Sequence, residues 1–379
     1  MKEVILPVDL NTPVISECWT HFKLSIIKTS PYYMDWLSSH LEVFMNKNMI
    51  THFGEREEAY TMIYYDDILI MNEIFFWELH PNNIIKRLTE ELSYNNYILM
   101  DIFWNLNNIK NPSMEELPKH ETMIYGYNTE KRVFYCSFLS KSGTFTEYQL
   151  SYENLENSFS TTYKFYKENN DYLLYQRHNH YPITSLSLRK DYNKDNSISQ
   201  FISKLRKEYT GKCTIITEYG DKKETLYNYE SYSGLGCLIG LENELNKCKK
   251  EDHIGADVLK NIKKSVYTLL EHRRIILNSM NWTINKIKTK DTDILILIDN
   301  YKGCVERFEV LHAIVCKFQI SHDNQEKPTY YLNKIVEYLK PQYELERTTL
   351  NKYIDKLLLL YKEFLSFENN KSLYKKKTG

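Results

Sequence analysis

Glycine and proline are scarce in this chain, at 11 and 9 among 379 residues. That scarcity argues against a low-complexity linker and against a repetitive, turn-rich all-β fold. A surplus of either charge is missing too, with 49 Lys+Arg against 50 Asp+Glu. Proteins that hold nucleic acid or an anionic membrane neutralise phosphates with excess Lys and Arg, so neither partner is expected. Long apolar runs are also absent. Leu357 to Tyr361 is one of the longest and falls far short of the ~18–20 residues of a membrane span. After Met1-Lys2-Glu3, the run Val4-Ile5-Leu6-Pro7 is too brief for the apolar core of a secretory leader. A soluble, cytoplasmic protein is the expectation.

The seven cysteines (18, 136, 213, 237, 248, 304 and 316) include no C-x-x-C pair and no zinc-ligand spacing. Their odd number and wide separation predict reduced thiols rather than a disulfide framework or a metal site. Tyrosine, by contrast, is abundant at 32 residues, scattered along the chain beside many Lys, Asn and Ile. That pattern reads as AT-rich coding bias rather than as a functional cluster.

A length of 379 residues suggests two domains at ~100–200 residues each. The character of the chain changes near residue 190, which predicts domains at 1–190 and 191–379. In the first, Tyr97 to Phe103 reads as a buried strand. Thr122 to Tyr127 and Arg132 to Cys136 read as a hairpin across Asn128-Thr129-Glu130-Lys131, with a further arm over 144–150. Helices are predicted over 18–28, 32–45 and 82–92, the last following Pro81. In the second domain apolar residues step by three and four. Leu259, Ile262, Val266, Leu269, Arg273, Ile276 and Met280 form one stripe, and Ile294, Leu297, Tyr301, Cys304, Phe308, Leu311, Val315 and Phe318 another. A third helical pattern runs over 331–364, where Pro341 is expected to end or kink it. Short polar breaks between long helices predict an antiparallel bundle, and its stripes are read as core.

Cys18 is the foremost candidate for chemistry. It lies in Pro13-Val14-Ile15-Ser16-Glu17-Cys18-Trp19, where Ser16 is a possible helix cap and Cys18 falls in the first turn. There the helix dipole lowers a thiol's pKa, and main-chain N–H groups can meet an oxyanion. His120, at the head of the strand that follows, is the candidate base. Asp101, a carboxylate in an otherwise apolar strand, is the first choice to orient it, with Asn128 and Ser137 as alternatives. Asn11 or Thr12, some six residues before Cys18, and Trp19 beside it are candidates for the oxyanion and substrate site. His178 and His180 could supply two metal ligands, but that spacing alone fits solvated loop histidines better.

The segment His120-Glu121-Thr122-Met123-Ile124-Tyr125-Gly126-Tyr127-Asn128-Thr129-Glu130-Lys131-Arg132-Val133-Phe134-Tyr135, with Asp101 and Cys18 before it, resembles a papain-fold family. That family is typified by the N-terminal domain of the butirosin-pathway acyltransferase, and its relatives include the amide synthetases of the closthioamide pathway. The resemblance runs from about residue 10 to 190. It implies an α+β, papain-like cysteine protease fold, an antiparallel sheet plus N-terminal helices, followed by an all-α helical-bundle half that could serve as a lid or carrier-docking domain. Family members usually carry Asp at the position of Asn128, and some carry another where Cys136 or Ser137 stands here. The third catalytic residue therefore stays open among Asp101, Asn128 and Ser137.

The implied activity is acyl transfer from a carrier-protein thioester, through a Cys18 acyl-enzyme, to a small amine, a diamine among the candidates. The implied partners are an acyl or peptidyl carrier protein and the amine. The enzyme itself would bind no cofactor, since phosphopantetheine arrives on the carrier. Arg189-Lys190 or Lys247-Cys248-Lys249-Lys250 are the basic runs an acidic carrier could meet. Two other classes stay open on sequence: a cysteine hydrolase on the same fold, and a noncatalytic interaction protein.

Overall fold

The computed structural model describes residues 2–46, 48–54, 65–74, 78–104, 119–140, 144–169, 183–192, 196–219, 226–250, 254–323 and 328–378. His178 and His180 lie outside the described residues. The chain divides into two compact units, Met1–Tyr33 with Tyr65–Asn193, and Met34–Tyr64 with Lys194–Gly379. The later crossing falls close to the change of character near 190. The excursion of 34–64 into the second unit has no counterpart in the sequence pattern.

The first unit is built on a seven-stranded antiparallel sheet. Its strands are β1 (Glu3–Ile5), β4 (Leu69–Ile74), β5 (Tyr97–Phe103), β6 (Lys119–Asn128), β7 (Val133–Leu139), β8 (Phe145–Ser151) and β9 (Ile183–Leu188), in the order β4-β9-β5-β6-β7-β8 with β1 on β6. Its helices are α1 (Cys18–Ile27), α3 (Ile84–Ser93) and α4 (Tyr152–Asn169). Successive residues Tyr97 to Met100 of β5 are all buried, so both faces of the sheet are covered there. The β6–β7 hairpin closes where Arg132 takes φ 51° and Asn128 Oδ1 accepts from the Lys131 amide at 2.9 Å. Gly126 sits at an irregularity in the β6–β7 register and opposite Ile5 of β1. A Cβ at Gly126 would stand 2.5 Å from the Val4 carbonyl oxygen, so the Tyr-Gly-Tyr sequence lets β1 approach.

Helix α1 is buried on every side from Thr20 to Ile27. The His21 ring stacks on Phe145 at 3.5 Å between centroids, and Phe22 meets Phe145 edge-on at 5.2 Å. An unexposed helix holds its first residue, Cys18, in a fixed place.

The second unit contains α2 (Tyr33–Ser39), whose first residue is the last of the first unit, and β2 (Glu42–Asn46), β3 (Thr51–Gly54), α5 (Ser197–Thr210), β10 (Cys213–Tyr219), β11 (Leu226–Ser233), α6 (Gly236–Cys248), α7 (Ala256–Ile287), α8 (Thr292–Asp323) and α9 (Pro328–Thr378). Two sequence expectations are corrected here. The helix expected over 32–45 stops at Ser39, because Leu41 takes φ 60° and the Val43-Phe44 pair continues as strand. The second half is not all-α. Strands β10 and β11 join β2 and β3 in a four-stranded antiparallel sheet, drawn by the β-branched run Thr214-Ile215-Ile216-Thr217. Pro341 does not end its helix. Leu339 and Gln342 on either side of it are buried, and packing outweighs the ~3 kcal/mol that an interior proline costs.

Both apolar stripes form the bundle core, from Leu259 to Met280 and from Ile294 to Phe318. Within that core sits a polar cluster. Arg273 Nε reaches Glu346 Oε1 at 3.2 Å, and Gln342 Nε2 donates to the same oxygen at 2.6 Å. Glu208 Oε1 lies 3.7 Å from His272 Nδ1. Burial pushes the Glu208 carboxyl up to about 7, against the attraction of Arg273. No helix among the described residues is long and apolar enough to cross a membrane.

Candidate active site

Cys18 is the first residue of α1, and Glu17 holds the N-cap position in extended conformation. The Glu17 carboxylate accepts from the Thr20 hydroxyl at 2.9 Å rather than capping the main chain. His120 is the second residue of β6. The fold brings these two together from 102 positions apart, with Cys18 Sγ 3.4 Å from His120 Nε2. Both side chains are half-buried.

The other ring nitrogen fixes the tautomer. His120 Nδ1 lies 2.9 Å from the main-chain oxygen of Glu121. A carbonyl cannot donate, so Nδ1 carries the proton and Nε2 turns its lone pair to the thiol. Moving the thiol proton to Nε2 then gives an imidazolium with both N–H groups engaged, one by the thiolate and one by the carbonyl. The strand beneath is held as well, because Trp104 Nε1 donates to the His120 carbonyl at 2.7 Å.

The remaining sequence candidates are placed differently. In the β5–β6 register Asp101 stands opposite Glu121, and Ile102 opposite His120. Direct partners share a face and neighbours alternate, so the pleat sends Asp101 to the face of the sheet away from His120. The Glu121 carbonyl takes the orienting place instead. Asn128 lies at the far end of β6, where its Nδ2 donates to Glu3 at 2.9 Å. Ser137 stands opposite Met123, with its hydroxyl buried and lacking a hydrogen-bond partner among the described residues.

The loop before Cys18 runs back along α1, with the Asp9 amide on the Ser25 carbonyl and the Asn11 carbonyl accepting from the Lys28 ammonium. The Thr12 hydroxyl donates to the Val14 carbonyl at 2.8 Å and accepts from His21 Nδ1 at 2.8 Å. It pins the entry loop to α1. Burial draws the His21 imidazole down to about 4, so His21 is neutral above that pH.

Trp19 follows Cys18 on α1, and its ring is covered by a residue the sequence did not single out. Lys23 is 2% exposed, and its Nζ lies 3.5 Å from the centroid of the Trp19 ring and 4.5 Å from that of Tyr65. Burial pulls the Lys23 ammonium well below its ordinary range, and the Glu121 carboxylate opposes that pull. The only sequence signal for this arrangement is the i,i+4 spacing of Trp19 and Lys23 on a helix. Among the described residues no group of three or more His, Cys, Asp or Glu is arranged to hold a metal ion, and no cysteine is in a disulfide. A scan of known protein families finds no match to this chain, and no curated protein matches its sequence.

Proposed function

We propose that the first unit is a papain-like acyltransferase domain in which Cys18 is the nucleophile and His120 the general base. The observation that carries this reading is the 3.4 Å approach of Cys18 Sγ to His120 Nε2, with Nδ1 tied to a carbonyl. A helix-borne cysteine facing a strand-borne histidine over an antiparallel sheet supports the papain-like assignment. In the proposed reaction His120 takes the Cys18 proton and the thiolate attacks a carrier-protein thioester. The oxyanion forms at the positive end of α1, where main-chain N–H groups meet it. The carbon–sulfur bond to phosphopantetheine breaks, and that thiol leaves with a proton from His120. A neutral amine then attacks the Cys18 acyl-enzyme, a carbon–nitrogen bond forms, the carbon–sulfur bond to Cys18 breaks, and the amine's surplus proton passes through His120 to restore the Cys18 thiol.

Thioester exchange onto cysteine is nearly isoenergetic and the amide lies far below both, so the sequence of steps needs no ATP. With a main-chain carbonyl behind His120 instead of a carboxylate, the site is a dyad.

The test is product analysis with an acyl-loaded carrier protein, with and without a small amine. Amide product that requires both Cys18 and His120 supports the reading. Free acid as the sole product, whether or not amine is present, makes the protein a hydrolase. No turnover of any acyl-carrier thioester, with wild type and Cys18→Ala alike, overturns the proposal.

A further inference from the structure

His120 stands on a stretch of β6 that the sheet supports from one side. The β6–β7 register begins at Thr122, opposite Phe138, so among the described residues His120 is paired only with β5, through Ile102. Trp104, the residue after β5 ends at Phe103, adds a second hold. Its ring is 5% exposed, and its Nε1 donates to the His120 carbonyl oxygen at 2.7 Å. That oxygen belongs to the peptide unit joining His120 to Glu121. The Glu121 carbonyl, 2.9 Å from His120 Nδ1, belongs to the next unit. Its place relative to the ring depends on the torsions on either side of the first unit, so a grip on the His120 oxygen also sets the acceptor of Nδ1–H. Were that peptide to turn, Nδ1 would lose its acceptor and the ring could take either tautomer. The one protonated on Nε2 points an N–H at the thiol instead of a lone pair. The imidazolium would be held less well too, since its second N–H needs the same carbonyl.

We propose that Trp104 is a positioning residue for the Cys18–His120 pair, which fixes the peptide between His120 and Glu121 and so keeps the imidazole in the tautomer that accepts the thiol proton. This role rests on the dyad reading of Cys18 and His120. Trp104 acts through the main chain of His120, so its loss weakens the base without removing it.

The experiment is the pH dependence of Cys18 alkylation by iodoacetamide in the full chain, followed by intact mass, with Cys18→Ala giving the background from the other cysteines. The thiolate displaces iodide, so the rate follows the thiolate fraction. Trp104→Phe keeps a ring in place and removes the N–H. It is expected to move the midpoint of the profile upward by about half a unit and to slow labelling about threefold at neutral pH. The charged neighbours in the chain, Glu17 beside Cys18 and Lys119 and Glu121 beside His120, are unchanged in that variant, so the shift reports the imidazole. Phe134→Leu, a core change near the closed end of the β6–β7 hairpin, is the control for a general loss of stability. It is expected to lower the urea midpoint and leave the labelling profile in place. A Trp104→Phe profile that superimposes on wild type, or an equal shift in Phe134→Leu, overturns the role and leaves the dyad standing. Wild-type Cys18 labelling no faster than an ordinary thiol overturns the dyad reading itself, and the role with it. Should Trp104→Phe fail to fold, benzothienylalanine at position 104 decides, since it keeps the shape of the indole and carries sulfur in place of the N–H. An upward shift there supports the proposal, and a superimposed profile overturns it.

Discussion

Replacing Glu208 by glutamine is expected to stabilise the second unit at alkaline pH and to leave it nearly unchanged in mild acid. Glu208 is buried on α5 beside His272 and Arg273, and burial raises its carboxyl from 4.5 to about 7. In the unfolded chain the group loses its proton near the lower value. Below that pH both states are protonated and no difference arises. Between the two values the folded state holds a proton that the unfolded state has released, so stability falls as pH rises. Above about 7 the full loss is in place, which for about 2.5 units amounts to about 3 kcal/mol. Glutamine has the shape of the protonated acid and does not titrate, so Glu208→Gln escapes the loss. His21 and His52, each drawn down to about 4 by burial, act in the opposite sense at lower pH. Only the difference between variant and wild type isolates Glu208. Urea denaturation followed by far-ultraviolet circular dichroism at pH 5 and pH 8 measures it. The expected gain is up to about 3 kcal/mol at pH 8 and a small fraction of that at pH 5. A variant less stable than wild type at pH 8, or a difference that does not change with pH, would refute the reasoning.

Three further outcomes follow from the packing. Gly126→Ala places a Cβ 2.5 Å from a main-chain oxygen of β1, a clash between two backbones, and is expected to cost about 1–3 kcal/mol in urea denaturation; unchanged stability would contradict the close approach. His21 is neutral in the folded chain, so it adds stability above pH 6.5 that is lost as pH falls toward about 4. In His21→Gln that acid sensitivity is expected to shrink by up to about 3 kcal/mol between pH 7 and pH 4, and an unaltered acid limb would count against it. Arg273→Met leaves Glu346 buried without its cation and is expected to cost about 3–5 kcal/mol, while Arg273→Met with Glu346→Gln recovers most of the loss. Equal stabilities of the single and double variants would sink that account.

The two residues that meet at the site were legible because each is marked locally. Cys18 stands where a polar loop turns into an apolar helix, and His120 opens a strand with a clear hairpin beyond it. Asp101 was not legible, since its role depends on register, and a shift of one residue decides which face of the sheet it serves. Counting residues back from Cys18 to Asn11 does not fix the path of a loop that runs back along α1, where Asp9 meets Ser25 and Thr12 meets His21. Lys23 was written in the sequence as a helix neighbour of Trp19, but spacing alone does not reveal that it is buried over the Trp19 and Tyr65 rings. In the second unit the long stripes were plain from their period, whereas β10 and β11 were overshadowed by the helices around them. The transfer of 34–64 to that unit is set by the pairing of β2 with β11 across nearly two hundred residues, which no local pattern encodes.

The central claim is that Cys18 takes up an acyl group with the help of His120. Its most direct measurement is the intact mass of the protein after brief incubation with an acyl-loaded carrier protein in the absence of amine. A mass increase equal to the acyl group, mapped to Cys18, lost in Cys18→Ala and discharged on adding an amine, is the predicted result. An adduct on another cysteine, or none on Cys18 with any acyl-carrier thioester, would contradict the account.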